Sequence, residues 1–258
     1  RVMSVSPVLT IAWRFVTVSV FLFWLTAGAL AQDRLELLAV DWPPFAFENP
    51  EHNLPGIDVD VVRAALAEEN IEADFTFMPW NRAARQVSNG EAVGVITCSF
   101  QPDRQGDFLF SNAVTGANRG FYVRTEYAGP ILARVGDARG MKVGAVSGYA
   151  TEAKLREVGI EPDPSRSDEI AIRKLLDGRI DLFYTVRETT DYFVRDQDLS
   201  NRLRFYYLYQ VDYHVCLSRK WPGIERITER LNSGLLKLRS NGEFDRIRKK
   251  YGEQDSSS

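Results

Sequence analysis

From Leu35 to Thr97 the chain alternates short apolar runs with amphipathic segments, and that order leaves few folds open to it. Leu35-Glu36-Leu37-Leu38-Ala39-Val40 reads as a buried strand. Val61, Val62, Ala65 and Leu66 share one face of a helix that Asp58 is expected to cap and that ends near Glu69-Asn70. Ile71 to Met78 alternates like a strand, a helix spans Arg82 to Ser88 and stops at Asn89-Gly90, and Ala92 to Thr97 is the next strand. Strand, helix, strand, helix, strand is the signature of a parallel α/β sheet. Ligands of such sheets sit beyond the carboxyl ends of the strands, and the Pro-containing turn from Asp41 to Phe47 puts aromatic residues there.

The theme returns after Phe110-Ser111. Strands are expected over Gly120 to Arg124, Met141 to Val146 and Ile180 to Thr185, with helices over Thr151 to Val158 and Asp168 to Leu176. Leu203 to Tyr209 and Val211 to Leu217 read as two further strands. Pro222 opens a helical tail with Ile224, Ile227, Leu231 and Leu235 on one side, and Asn241-Gly242 breaks it before a last helix with Phe244, Ile247 and Tyr251. No repeat or long linker intervenes, so two α/β blocks are expected to be hinged directly on each other.

Composition narrows the function. With 45% hydrophobic and 26% charged residues the chain has material for a large core or two smaller ones, and disorder is not expected. Arg14, the apolar run from Phe15 to Leu25 and the small-residue site Ala29-Leu30-Ala31 follow the plan of a secretory signal, giving a leader over 1–31 cleaved before Gln32. No cysteine stands near that site, so a free periplasmic protein and not a lipoprotein is expected. The net charge of −3 becomes about −5 once Arg1 and Arg14 leave with the leader, which argues against nucleic acid as a partner. Cys98 and Cys216 are the two cysteines. An oxidising compartment allows a bridge between them, the alternative being two buried thiols. Signature motifs of triad or metal catalysis are missing, and His52 and His214 stand apart, in a loop and a strand; no metal and no cofactor are expected.

Four runs carry a more specific message: Asp41-Trp42-Pro43-Pro44-Phe45, Gly56-Ile57-Asp58-Val59-Asp60, Pro102-Asp103-Arg104 and Phe110-Ser111. Together with the order of elements from about Leu35 to Tyr251, they resemble the family 3 bacterial extracellular solute-binding proteins, which mostly bind polar amino acids. The resemblance implies a two-lobed α/β fold of the type II, Venus-flytrap kind with two hinge crossovers, near Ala113 to Thr115 and near Gln210 to Asp212. Lobe one would comprise 32–113 and 212–258, and lobe two 114–211. Cys98 and Cys216 would then lie in one lobe, on neighbouring strands. The implied function is capture of a small polar, carboxylate-bearing ligand by a monomer that delivers it to the permease of an ABC transporter.

The resemblance also implies a site. Arg104 matches the residue that forms a two-pronged ion pair with the ligand carboxylate, a task suited to a guanidinium fork that is always charged. Trp42 and Phe45 match an aromatic wall, and Trp80 matches a cleft-facing residue at the start of the next helix. Ser99 belongs to the floor. Val143 to Tyr149 matches the strand and glycine turn that open a helix toward the ligand, with Tyr149 where a small hydroxyl residue is usual. Amino-acid binders carry an aspartate where this chain has Val186, so Glu188 is the candidate substitute for gripping an ammonium group. The segment from Gly90 to Arg104 is one residue short of the usual pattern, so the floor is expected to be rebuilt. Arg82, beside Trp80, is an extra cation favouring a ligand richer in carboxylate. Two other readings remain: a periplasmic dehydratase acting on a cyclic carboxylate, with Glu188 as its acid or base, and a ligand-delivering component of a sensory system.

Overall fold

The computed structural model describes residues 33–50, 53–196 and 199–251. The leader and His52 lie outside the described residues. The chain runs β1 (Asp33–Ala39), α1 (Ile57–Ala67), β2 (Ile71–Phe77), α2 (Trp80–Asn89) and β3 (Gly94–Ser99), as the alternation demands. A short 3-10 turn (Pro102–Arg104) and β4 (Phe108–Phe110) lead to β5 (Thr115–Arg124). Then come β6 (Val143–Val146), α3 (Ala150–Glu157), β7 (Asp163–Ser165), α4 (Asp168–Leu176), β8 (Leu182–Val186) and α5 (Arg187–Asp196). The long strand β9 (Leu203–Ser218) returns the chain to α6 (Ile224–Ser240) and α7 (Glu243–Lys250).

The strands form one path, β2-β1-β3-β9-β5-β8-β6-β7, with β4 also paired to β9. β1 and β3 are parallel, as are β8, β6 and β7, whereas β9 is antiparallel to β3 and β5, and β5 to β8. The apolar residues gather in separate cores along this path. Leu37, Ile57, Leu66, Ile96 and Leu235 belong to one beneath α1 and α6, and Phe121, Leu155, Leu182 and Tyr184 to another in the second block. Each such buried side chain contributes about 1.5–3 kcal/mol by leaving water. Between the blocks Phe45, Ala117, Val186 and Tyr213 pack with Trp42.

Four expectations about the elements are corrected. Helix α1 begins at Ile57, with Gly56 ahead of it, so Asp58 is no cap. Asp58 is fully buried and its Oδ1 accepts a hydrogen bond of 2.6 Å from Thr115. The N–H groups of Ile57 and Asp58 donate instead to the carbonyls of Pro44 and Phe45, which seats the helix on the aromatic turn. Only glycine fits at position 56, where φ is +114° and a Cβ would stand 2.4 Å from the Phe45 carbonyl oxygen. The two strands expected over Leu203 to Leu217 are one, because Gln210 stays paired, with Asn118. Pro222 precedes the tail helix instead of opening it, and Gly223 sits at its N-terminus. Strand β5 starts five residues earlier than its apolar run, and α5 was not foreseen.

Cys98 and Cys216 are joined by a disulfide with their Cα atoms 5.8 Å apart, linking β3 to β9. A bulge between Val95 and Cys98 offsets the register of those strands.

Candidate functional site

A cleft opens where the C-terminal ends of β1, β3 and β8 meet the turn after β6, the site that the strand order favours. It encloses about 570 Å³ of empty space, including some open to solvent. Val40, Trp42, Thr97 and Ser99 come from the β1 and β3 ends, Trp80 from the first residue of α2, and Arg104 from the 3-10 turn. Across from them stand Tyr149, Thr151, Thr185 and Val186, with Arg119 from β5 and Tyr213 from β9.

Of the residues read from the sequence, Trp42, Trp80, Ser99, Arg104 and Tyr149 line this cleft together. The half-buried Arg104 donates from Nη1 to the Ser99 carbonyl at 3.4 Å, and its guanidinium carbon lies 4.7 Å from the Trp80 ring centroid. Phe45 is not on the wall but behind it, fully buried, with its ring 5.1 Å from Trp42 and 5.4 Å from Tyr213. Arg82 is exposed on α2 and stands outside the lining, since two residues along a helix turn the side chain away from the face of Trp80. Glu188 is outside the lining too. In the first turn of α5 its carboxylate accepts from the Asn118 backbone N–H at 3.0 and 3.1 Å and from Asn118 Nδ2 at 2.8 Å.

Arg119, Tyr213 and Thr97 were missed. Arg119 is 5% exposed, deeper than any other arginine among the described residues. Its sequence signal was an arginine set among Gly116, Ala117 and Gly120, just ahead of the apolar run that marked the strand. The ladder between β5 and β9 slips at the Arg119/Gly120 step, and bulges of this kind re-aim side chains beside sites. Gly120 admits no side chain, since a Cβ would stand 2.0 Å from the Tyr206 carbonyl oxygen. Burial alone would lower the Arg119 pKa, but the oxygens of Tyr213, Tyr209 and Tyr184 raise it, so the guanidinium stays charged. Burial likewise drives the Tyr213 phenol upward, opposed by Arg119, and the phenol stays neutral. Thr97 holds φ at +57°, a left-handed backbone unusual for a β-branched residue and costing about 1–3 kcal/mol.

Four buried side-chain atoms around this one cleft have no hydrogen-bond partner: Trp42 Nε1, Thr97 Oγ1, Arg119 Nε and the Tyr213 hydroxyl. An unmade hydrogen bond on a buried group costs about 1–3 kcal/mol, so a polar guest that supplied these partners would be favoured here. Among the described residues, no lining side chain is acidic and two are arginines. Nor do those residues contain a cluster of metal-ligating side chains or a helix long and apolar enough to cross a membrane.

The model of the bacterial extracellular solute-binding proteins, family 3, matches residues 37–254. The chain belongs to that family. A protein of Neisseria gonorrhoeae named a probable histidine-binding protein is 24% identical over 219 residues, covering 82% of this chain and 80% of its own. A histidine kinase sensor domain with similarity to periplasmic binding proteins superposes with a TM-score of 0.74 at 21% identity, covering 85% of this chain and 96% of its own. The substrate-binding protein of an ABC uptake transporter from Streptococcus pneumoniae, solved with bound histidine, gives 0.73 at 16% identity, covering 87% and 95%. These likenesses show the two-lobed binding-protein fold.

Proposed function

We propose that this member of the family is a periplasmic solute-binding protein that captures a small carboxylate-bearing ligand between two lobes and delivers it to the permease of an ABC transporter. The observation that carries the reading is the cleft itself, where Arg104, an aromatic wall and four unpartnered polar atoms converge. The lobes proposed are 32–113 with 212–258, and 114–211, crossing where β5 and β9 leave one core for the other; export with loss of 1–31 and a monomeric working form complete the reading. Closure dehydrates the bound carboxylate, which strengthens its pairing with the Arg104 fork relative to a surface pair. The permease would read the closed form, which the ligand favours by contacts made only there.

The relative named as a binding protein supports capture over turnover, and so does the engagement of Glu188 by Asn118, which occupies the one carboxylate considered for acid or base work. The sensor domain of the same fold leaves ligand delivery to a receptor as a second reading of the same cleft. The test is a thermal-shift and calorimetric screen of small acids and amino acids against the protein and Arg104→Ala. A ligand that raises Tm in the first and not in the second supports capture at Arg104. Binding indifferent to Arg104, or chemical conversion of the bound compound detected by mass, overturns it.

A further inference from the structure

The cleft has more positive charge than one carboxylate requires. Arg104 lies at its edge over Trp80, and Arg119, almost wholly buried, lies at its floor with Nε unpartnered. Burial keeps the Tyr213 phenol beside Arg119 neutral, so it does not cancel the guanidinium's charge. A buried cation is costly unless a counter-charge meets it. None of the described residues that line the cleft brings one, and the strand end at β8, facing into the same space, is the apolar Val186. Among the described residues that line the cleft, a ligand ammonium group would meet two arginines and no carboxylate.

We propose that the ligand is a small dicarboxylate lacking an amino group, with one carboxylate on Arg104 and the other on Arg119. The inference rests on the capture reading above and deepens it. Arg119 is then the residue that sets ligand class. Its placement is built into the backbone: the slip between β5 and β9 falls at its own step, and Gly120 lets the partner strand approach so closely that no side chain fits. Trp42 Nε1 and the Tyr213 hydroxyl add neutral donors of the kind a carboxylate accepts from.

Isothermal titration of the purified protein decides the matter with three sets of probes: the linear diacids from malonate to adipate, the monoacids of equal carbon number, and L-glutamate, L-histidine and L-arginine. The expected result is one diacid bound about 10- to 100-fold more tightly than its matched monoacid and than any of the three amino acids, the gain of one further charge-assisted pair. In Arg119→Gln the diacid-to-monoacid ratio falls to near one while monoacid binding persists; in Arg104→Ala both weaken. Amino acids binding as tightly as the best diacid, or a ratio unchanged by Arg119→Gln, overturns the dicarboxylate. If those amino acids bind and Arg104→Ala abolishes it, capture stands and only the ligand class falls. If none of these acids binds, both fall. The ratio in the unmodified protein needs no variant, so an Arg119→Gln chain that fails to fold leaves the outcome decided.

Discussion

Trp42 and Tyr149 meet edge to face across the cleft, their ring centroids 5.7 Å apart and their planes at 67°. Trp42 stands in the turn after β1 and Tyr149 immediately before α3, so the pair ties the first α/β block to the second. Phe47 and Tyr192 make a similar contact, with centroids 5.5 Å apart, and Gly148 lies close to the Asn81 side chain. Moving the two blocks apart would break these contacts.

Tyr149→Ala is therefore expected to weaken the contact between the blocks as well as the packing of Tyr149 on the second block's core. Aromatic pairs add about 0.5–1.5 kcal/mol beyond burial, so ligand affinity is expected to fall about 3- to 10-fold, with a lower Tm of the ligand-free protein from the lost core packing. Tyr149→Phe keeps the ring and most of the affinity. Calorimetric titration with small-angle scattering checks both, since loss of the contact also shifts the ligand-free protein toward the more open form.

Trp80 orients Arg104 by a cation–π contact at 4.7 Å. In a partly desolvated cleft that contact contributes about 0.5–2 kcal/mol. Trp80→Ala is expected to weaken carboxylate binding by about 3- to 30-fold, and Trp80→Phe to restore part of it. A Trp80→Ala protein binding as well as the unmodified one would show that Arg104 needs no aromatic platform.

Much of this was legible in the sequence, and the exceptions share a cause. The alternation from Leu35 to Thr97 and the Asp168–Leu176 helix follow from apolar spacing, because each element buries one face. Five of the eight expected site residues converge for the same reason: they follow strand ends, where the fold puts ligands. Arg119 and Thr97 stayed hidden because their roles depend on register. Arg119 is turned by a slip in pairing that local pattern does not encode, and Thr97 lies in the bulge of β3 with a backbone that its residue type disfavours. Glu188 has the right chemistry two residues past the strand end, but the chain has already begun α5, and Asn118 takes its carboxylate.

The Cys98–Cys216 bridge closes a loop of 118 residues between β3 and β9. Removing a native disulfide of such span costs about 2–5 kcal/mol, largely by freeing the unfolded chain. The double variant Cys98→Ser/Cys216→Ser is expected to show a lower midpoint in urea, and the parent protein the same loss under strong reductant. A midpoint unmoved by reductant would place the stability of this block in its apolar core alone.

Asp168, the first residue of α4, is 4% exposed, and its Oδ1 accepts from Thr185 at 3.0 Å and from Thr190 at 3.5 Å. Burial pushes its carboxyl up to about 6 from an ordinary 3.8, and the two threonine hydroxyls hold it back from going further. The sign of the pH effect is the reverse of a salt-bridged aspartate. Between pH 4 and 6 the folded chain keeps a proton there that the unfolded chain has lost, so the stability due to this group falls as pH rises through that window and is level above it. The span of the two values corresponds to about 3 kcal/mol. Asp168→Asn keeps the shape and removes the titration, so the stability difference between variant and parent is expected to grow in the variant's favour from pH 4 to 6.5. Urea unfolding of both proteins across that range checks it. Because Thr185 lines the cleft and also donates to Asp168, ligand affinity measured over the same window reports whether the proton is felt at the site. A pH-independent difference between the two proteins would mean that Asp168 is already ionised at pH 4.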